Sequence, residues 1–309
     1  MHYRTLGNTG LTVSEVGFGC NRLGEENQPD QHWVDVVHRA TDLGVTVFDT
    51  SESYGWGRSE EMLGLAIGER DDVLVATKIS RIRETGGKDF SSKRMLENAE
   101  QSLKRLRRSR IDIYQLHSPS REALDTFDWA EGMERLKQQG KIRFAAVAVN
   151  SAADGLWLIE HGGIQILQIT YNIFNTEAEK ALFDRAEREG IGMLCRLPLA
   201  QGILTGKFRP DESVPEGHRA HLAGEKMMRR IEKAEQLRPL GETYEGGMTR
   251  MAHHFSLAPR AVSAIIPGAR TIAQLEENVA ASNGTGLAQG IRKEIDRIRS
   301  RWDESEGWF

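Results

Sequence analysis

The sequence predicts an α/β fold, a (β/α)8 TIM barrel with an N-terminal hairpin and a long loop after the seventh strand, and three observations predict it. Strand-like and helix-like runs take turns along the 309 residues, the pattern of βα units around a parallel sheet. Eight strand-like runs can be placed, the number a closed barrel requires. Gly44, Gly140 and Gly190 each follow a helical run and precede a strand, where a left-handed helix cap places glycine.

The strands are expected at 16–19, 45–50, 73–78, 111–117, 142–149, 165–170, 192–197 and 264–266. Between them, segments 33–43, 92–106, 126–139, 178–189 and 271–281 repeat apolar residues at spacings of three and four, so they read as amphipathic helices jacketing the barrel. The opening stretch, with Gly7, Gly10 and alternating Leu11, Thr12 and Val13, reads as a hairpin plugging one barrel end. Segment 206–247 breaks the rhythm with Pro210, Pro215, Gly217, Gly224 and many charges, and is expected to be a long βα loop with some helix that shapes a pocket. No linker interrupts the chain, so residues 1–309 are expected to form one barrel domain.

Composition narrows the function. With 41 basic and 45 acidic residues the net charge is −4, and no basic stripe suits a nucleic-acid backbone. Cys20 and Cys195 are the only cysteines and form no CxxC pair, which argues for reduced thiols and against a metal cluster. No apolar stretch approaches the roughly 18 residues of a membrane helix and no signal pattern opens the chain, so a cytoplasmic enzyme without membrane or nucleic-acid partners is expected. The oligomeric state is left open.

Chemistry concentrates at strand ends. Asp49, Tyr54, Lys78 and His117 each fall at or just past an apolar run, and in a parallel barrel such positions surround one pocket. A phenol with a pKa near ~10 becomes a useful acid beside an ammonium, which Lys78 supplies and Asp49 keeps charged. His117 would then hydrogen-bond a substrate oxygen. The set suits protonation of a carbonyl while a nicotinamide cofactor delivers hydride. Taken singly, each residue has a plainer reading as a turn, packing or salt-bridge residue; four at consecutive strand ends point to one site.

Segment 48–64, Phe-Asp-Thr-Ser-Glu-Ser-Tyr-Gly-Trp-Gly-Arg-Ser-Glu-Glu-Met-Leu-Gly, closely resembles the signature of the aldo-keto reductases. Further matches lie at 4–14, 76–78, 112–117, 140–143, 198–207 and 266–270, in family order. The resemblance implies NAD(P)H-dependent reduction of small aldehydes, ketones or sugar-like carbonyls, with Asp49, Tyr54, Lys78 and His117 as the catalytic tetrad and Tyr54 as general acid. It implies a dinucleotide lying across the strand ends without a GxGxxG turn, and none is present. Gln168 matches the residue that bonds the carboxamide, and 198–207, with Pro198, Leu199, Gly202, Leu204 and Lys207, resembles the segment wrapping the pyrophosphate. Asn172 would support that end. Gly268, Arg270, Gln274, Glu277 and Asn278 resemble the adenosine-binding stretch, where Arg270 at a helix start suits a 2′-phosphate and hence NADP(H) over NAD(H). Gly19, Cys20, Leu197 and Ile266 complete the expected cofactor wall, and Asn21, Arg22, Trp56 and His117 the substrate pocket.

Three features depart from the family pattern. After the fifth barrel strand many relatives read Gly-Val-Ser-Asn; this chain reads Ala146-Val147-Ala148-Val149, leaving Asn150 or Gln168 to hold the carboxamide. Arg196 stands where an aromatic residue often stacks on the nicotinamide, and Gly268 and Gln274 stand where a lysine and an arginine often bind the 2′-phosphate. Two other functions fit parts of the pattern: a Schiff-base aldolase using Lys78, and a non-catalytic NADP(H)-binding sensor.

Overall fold

A computed structural model describes residues 1–210, 224–284 and 286–302. Strands β1 (Tyr3–Thr5) and β2 (Thr12–Ser14) pair antiparallel as the expected hairpin. Eight parallel strands follow: β3 (Phe18–Gly19), β4 (Val47–Asp49), β5 (Leu74–Ile79), β6 (Ile111–His117), β7 (Ile142–Ala148), β8 (Ile166–Thr170), β9 (Gly192–Arg196) and β10 (Val262–Ile266). Each lies beside the next in chain order. The ring closes where Gly17 N–H donates to Ile265 O at 2.8 Å and Gly19 N–H to Pro267 O at 2.9 Å. This is the (β/α)8 barrel the alternation predicts.

The expected helices appear at Asp30–Asp42, Ser92–Leu106, Trp129–Gln138, Leu182–Glu189 and Ile272–Val279. The stretch before Trp129 is a separate short helix, Arg121–Thr126, and a 3-10 turn, Glu177–Lys180, precedes Leu182. Helices Arg58–Ala66, Ala152–His161, Gly247–Leu257 and Gln289–Arg299 were not anticipated. In the 206–247 loop the helices are Glu225–Glu235 and Arg238–Thr243, while 211–223, with Pro215 and Gly217, lies outside the described residues. No helix among the described residues is long and apolar enough to cross a membrane.

Two apolar layers hold the barrel. The larger lies between strands and helices. The smaller fills the barrel interior with Val47, Leu74, Ala76, Ile113, Ala146, Ile166, Leu194 and Ala264, and Leu6 and Val13 of the hairpin close its floor. The turn between β1 and β2 sits so close to the barrel that a Cβ on Gly7 would lie 2.4 Å from Gly190 O, and Asn8 N–H donates to that carbonyl at 2.7 Å. Gly190 therefore serves twice, as a left-handed cap with φ of 67° and as the hairpin's seat.

Leu6 is fully buried against the interior layer. Leu6→Ala should cost about 2–5 kcal/mol of unfolding free energy in a urea titration; a loss under about 1 kcal/mol would show that the hairpin does not share the core.

Candidate active site

Strand parity delivers the polar residues. Alternate side chains share a face, so the inward set Leu74 and Ala76 continues to Lys78, Val47 to Asp49, Ile113 to Gln115 and His117, Ile166 to Gln168, and Leu194 to Arg196. Past the apolar interior, the next layer up is polar and sits at the carboxyl ends of the strands.

Lys78 and Asp49 are both buried and paired, Nζ to Oδ2 at 2.7 Å, and Nζ also donates to Thr50 O at 2.7 Å. The other Asp49 oxygen accepts from Gln168 Nε2 at 2.7 Å and Gln115 Nε2 at 3.0 Å. Burial alone would depress the lysine, but Asp49 and the Tyr54 phenol outweigh it and raise its pKa, so Lys78 is an ammonium. Its Nζ stands 5.1 Å from the Tyr54 ring centre, placing phenol and ammonium in one hollow as expected.

One expectation is corrected. Lys78 and Arg196 do pull the Tyr54 phenol toward acidity, but burial, with Asp49, pushes harder, and the phenol lies above its ordinary range. Tyr54 is held by strained backbone: Trp56 and the two glycines beside it have positive φ of 52°, 57° and 98°. The Tyr54 and His117 rings meet edge to face at 5.8 Å. His117 is pushed well below the usual imidazole range by burial and by Lys78, Arg196, Lys88 and Arg81. Ser51 Oγ lies 3.2 Å from its Nδ1, and a neutral ring accepting there carries its proton on Nε2.

Beside this layer runs a cleft of about 570 Å³. Its wall includes Gly19, Cys20, Asn21, Asp49 and Tyr54, then Gln168, Arg196, Leu197, Pro198, Leu199, Gly202 and Lys207, and finally Ile266, Gly268, Arg270, Gln274, Glu277 and Asn278. Four expected contacts are not on that wall. Leu204 is buried beneath it in the core. Asn150 turns away, its Oδ1 accepting from Arg196 Nη2 at 3.1 Å. Trp56 is 44% exposed at the rim under Arg83, and His117 packs on Tyr54 at the edge. Asn172 braces this wall, its Nδ2 donating to Leu197 O at 2.9 Å.

Arg196 is anchored at the strand ends. Its Nε donates to Thr170 Oγ1 at 3.0 Å, Nη1 to Ser118 Oγ at 3.3 Å and Nη2 to Val149 O at 3.1 Å. Sequence reasoning missed Gln115, which strand parity would have found, and Thr249 on the wall; Gln201 and Thr205 lie there within the 198–207 segment. Thr249 had no signal, since it lies on a helix placed nowhere by the motifs.

The cleft fits an extended dinucleotide. Gly19 has no room for a side chain, since its Cβ would lie 2.7 Å from Ile266 O, and a Cβ on Gly268 would press on Asn21 Oδ1 at 3.1 Å, so backbone lines that wall. Leu197, Ala200, Gln201 and Gly202 all have positive φ, folding a tight turn over which Lys207 Nζ reaches: a Cβ on Gly202 would meet it at 3.3 Å. Such turns present backbone N–H groups to anions. At the far end Thr271 caps Ile272–Val279, Gln274 Oε1 accepts the Arg270 N–H at 2.9 Å, and Arg270 Nε lies 3.5 Å from Glu25 Oε2.

Comparison with known proteins agrees with this geometry. The family model described as the aldo/keto reductase family matches residues 15–300. The chain is 32% identical to the L-galactose dehydrogenase of Arabidopsis thaliana over 96% of its own length and 93% of the relative's. It is 31% identical to the NADH-specific methylglyoxal reductase of Escherichia coli, covering 90% and 92% of the two chains. Among solved structures it is similar to the aldo-keto reductase AKR11C1 of Bacillus halodurans in its holo form, with a TM-score of 0.83, 29% identity and 96% of each chain covered. The chain thus belongs to the aldo/keto reductase family and is an enzyme of it.

Proposed function

We propose that this protein, working as one barrel domain in the cytoplasm, reduces small aldehydes, ketones or sugar-like carbonyls to alcohols with NAD(P)H, Tyr54 acting as general acid. The observation that carries the reading is the convergence of Tyr54, the Lys78–Asp49 pair and His117 at the edge of a cleft fit for a dinucleotide. A bound nicotinamide would supply the hydride. The chain's own groups do the rest. His117, neutral with a proton on Nε2, orients the carbonyl oxygen; Tyr54 donates the proton; Lys78 stabilises the phenolate left behind; Asp49 keeps Lys78 charged. The names of the plant and bacterial relatives support sugar-like and small dicarbonyl substrates.

NADP(H) is the preferred cofactor in this reading and NAD(H) the poorer one, because Arg270 stands at the mouth of the Ile272–Val279 helix with only a long pairing to Glu25 to exchange for a phosphate. The aldolase alternative is disfavoured. Lys78 is charged and committed to Asp49 and Thr50, whereas an attacking amine must be neutral.

Tyr54→Phe should lower turnover by at least about 100-fold while leaving cofactor affinity, read by fluorescence titration, nearly unchanged; a fully active variant would defeat the reading. Arg270→Ala should raise the KM for NADPH about tenfold and leave that for NADH within about twofold, the loss of one charge-assisted contact. The raised phenol stays protonated through neutral pH and the depressed imidazole stays neutral below its usual range. Reductive kcat/KM should therefore be level from pH about 6.5 to about 10 and fall only above that, and a decline centred near neutrality would contradict the assignment of acid and orienter.

A further inference from the structure

We propose that the substrate end of this site is built for carbonyl compounds that also carry an oxyanion, a carboxylate or a phosphate, received by Arg196, Lys88 and Arg81 around His117 and Ser118. The inference rests on the reductase reading above and names its substrate class. Arg81 and Lys88 face each other across a β-bridge in the turn after β5. Lys88 Nζ donates to His117 O at 3.0 Å and to Ser118 O at 2.5 Å, and Arg196 reaches the same Ser118 through its hydroxyl. Lys88 and Arg196 therefore meet at the residue next to His117, and Arg81 stands across the bridge from Lys88.

What they lack is a counter-charge. Arg196 bonds only neutral oxygens, those of Thr170, Ser118, Val149 and Asn150. Among the described residues neither it, Lys88 nor Arg81 forms an ion pair. Asp49 is committed to Lys78 and two glutamines, Glu52 to Arg94 at 3.3 Å and the Ser80 N–H at 2.7 Å, and Asp89 accepts the Ser91 N–H at 2.8 Å. Elsewhere half-buried arginines are paired, as Arg108 is to Asp112 and Arg105 to Glu60. Like charges without a partner repel one another, and an entering anion relieves that repulsion. Both effects show in the groups themselves. Burial with Arg81 and Arg196 depresses Lys88, and the collar adds to the burial that keeps His117 neutral. Arg196 retains one uncommitted N–H of its five, on Nη1, and stands on the cleft wall.

The test compares matched substrates with the full chain and NADPH: succinic semialdehyde against butanal, and glyceraldehyde 3-phosphate against glyceraldehyde. The anionic member of at least one pair should have kcat/KM about tenfold higher, and the pair that shows it separates carboxylate from phosphate. Arg81→Gln and Lys88→Gln should each cut that ratio at least about threefold, as should about 0.5 M salt. A folding defect lowers both members alike and leaves the ratio unmoved. Equal ratios in the wild type overturn the collar while leaving the reductase intact. Calorimetric binding of succinate and inorganic phosphate, with NADP present, gives a readout without turnover. If no carbonyl is reduced but binding is seen and both variants lose it, the collar stands and the reductase reading falls; binding that both variants retain, or none at all, overturns the collar.

Discussion

Everything in this site depends on one buried ion pair. Taking a carboxylate and an ammonium out of water costs several kcal/mol for each ion, and the pair is tolerable only where further hydrogen bonds complete it. Here they do: Asp49 accepts from Lys78, Gln115 and Gln168, and Lys78 donates also to Thr50 O. Removing either member would leave a naked charge in the barrel, so the arrangement is all or nothing. The pair keeps the lysine charged beside the phenol.

The barrel supports the pair by parity rather than by any special loop. The inward residues that pack the floor, Val47, Leu74, Ile113 and Ile166, become Asp49, Lys78, Gln115 and Gln168 one or two inward steps higher. Apolar and polar layers share the same strands and register, with Lys78 opposite Gln115 and Ala148 opposite Gln168. Tyr54 is the exception. It sits past β4 on a turn whose positive φ angles store strain, and its position depends on that turn as much as on the sheet.

This division explains what could be read from the sequence. Strand ends were legible because each apolar run stops at a polar residue of the right type, so all eight strands and the convergence of the four residues followed. Gln115 was overlooked because it lies inside a run, where only the inward parity of Ile113 and His117 distinguishes it. Helices Arg58–Ala66 and Ala152–His161 were hidden because a catalytic motif and a short apolar stretch carry weak 3.6-residue periodicity. The net direction of the Tyr54 shift was beyond sequence, since it depends on how deeply the phenol is buried against how near the ammonium stands. The partner of Asn150 was also beyond sequence: a residue can be set at a strand end by sequence, but Arg196 comes from a strand two positions away.

The departures at β7 and β9 meet at one side chain. Arg196 takes up Val149 O, Asn150 Oδ1, Ser118 Oγ and Thr170 Oγ1, so its guanidinium bridges the ends of three neighbouring strands. With apolar side chains at Ala148 and Val149, the carbonyl of Val149 is left for the guanidinium. Lysine could not take the place of Arg196, since one ammonium has three donors and no planar fork to span such a spread. Arg196 thereby fixes a positive charge beside the hollow that holds Tyr54 and His117.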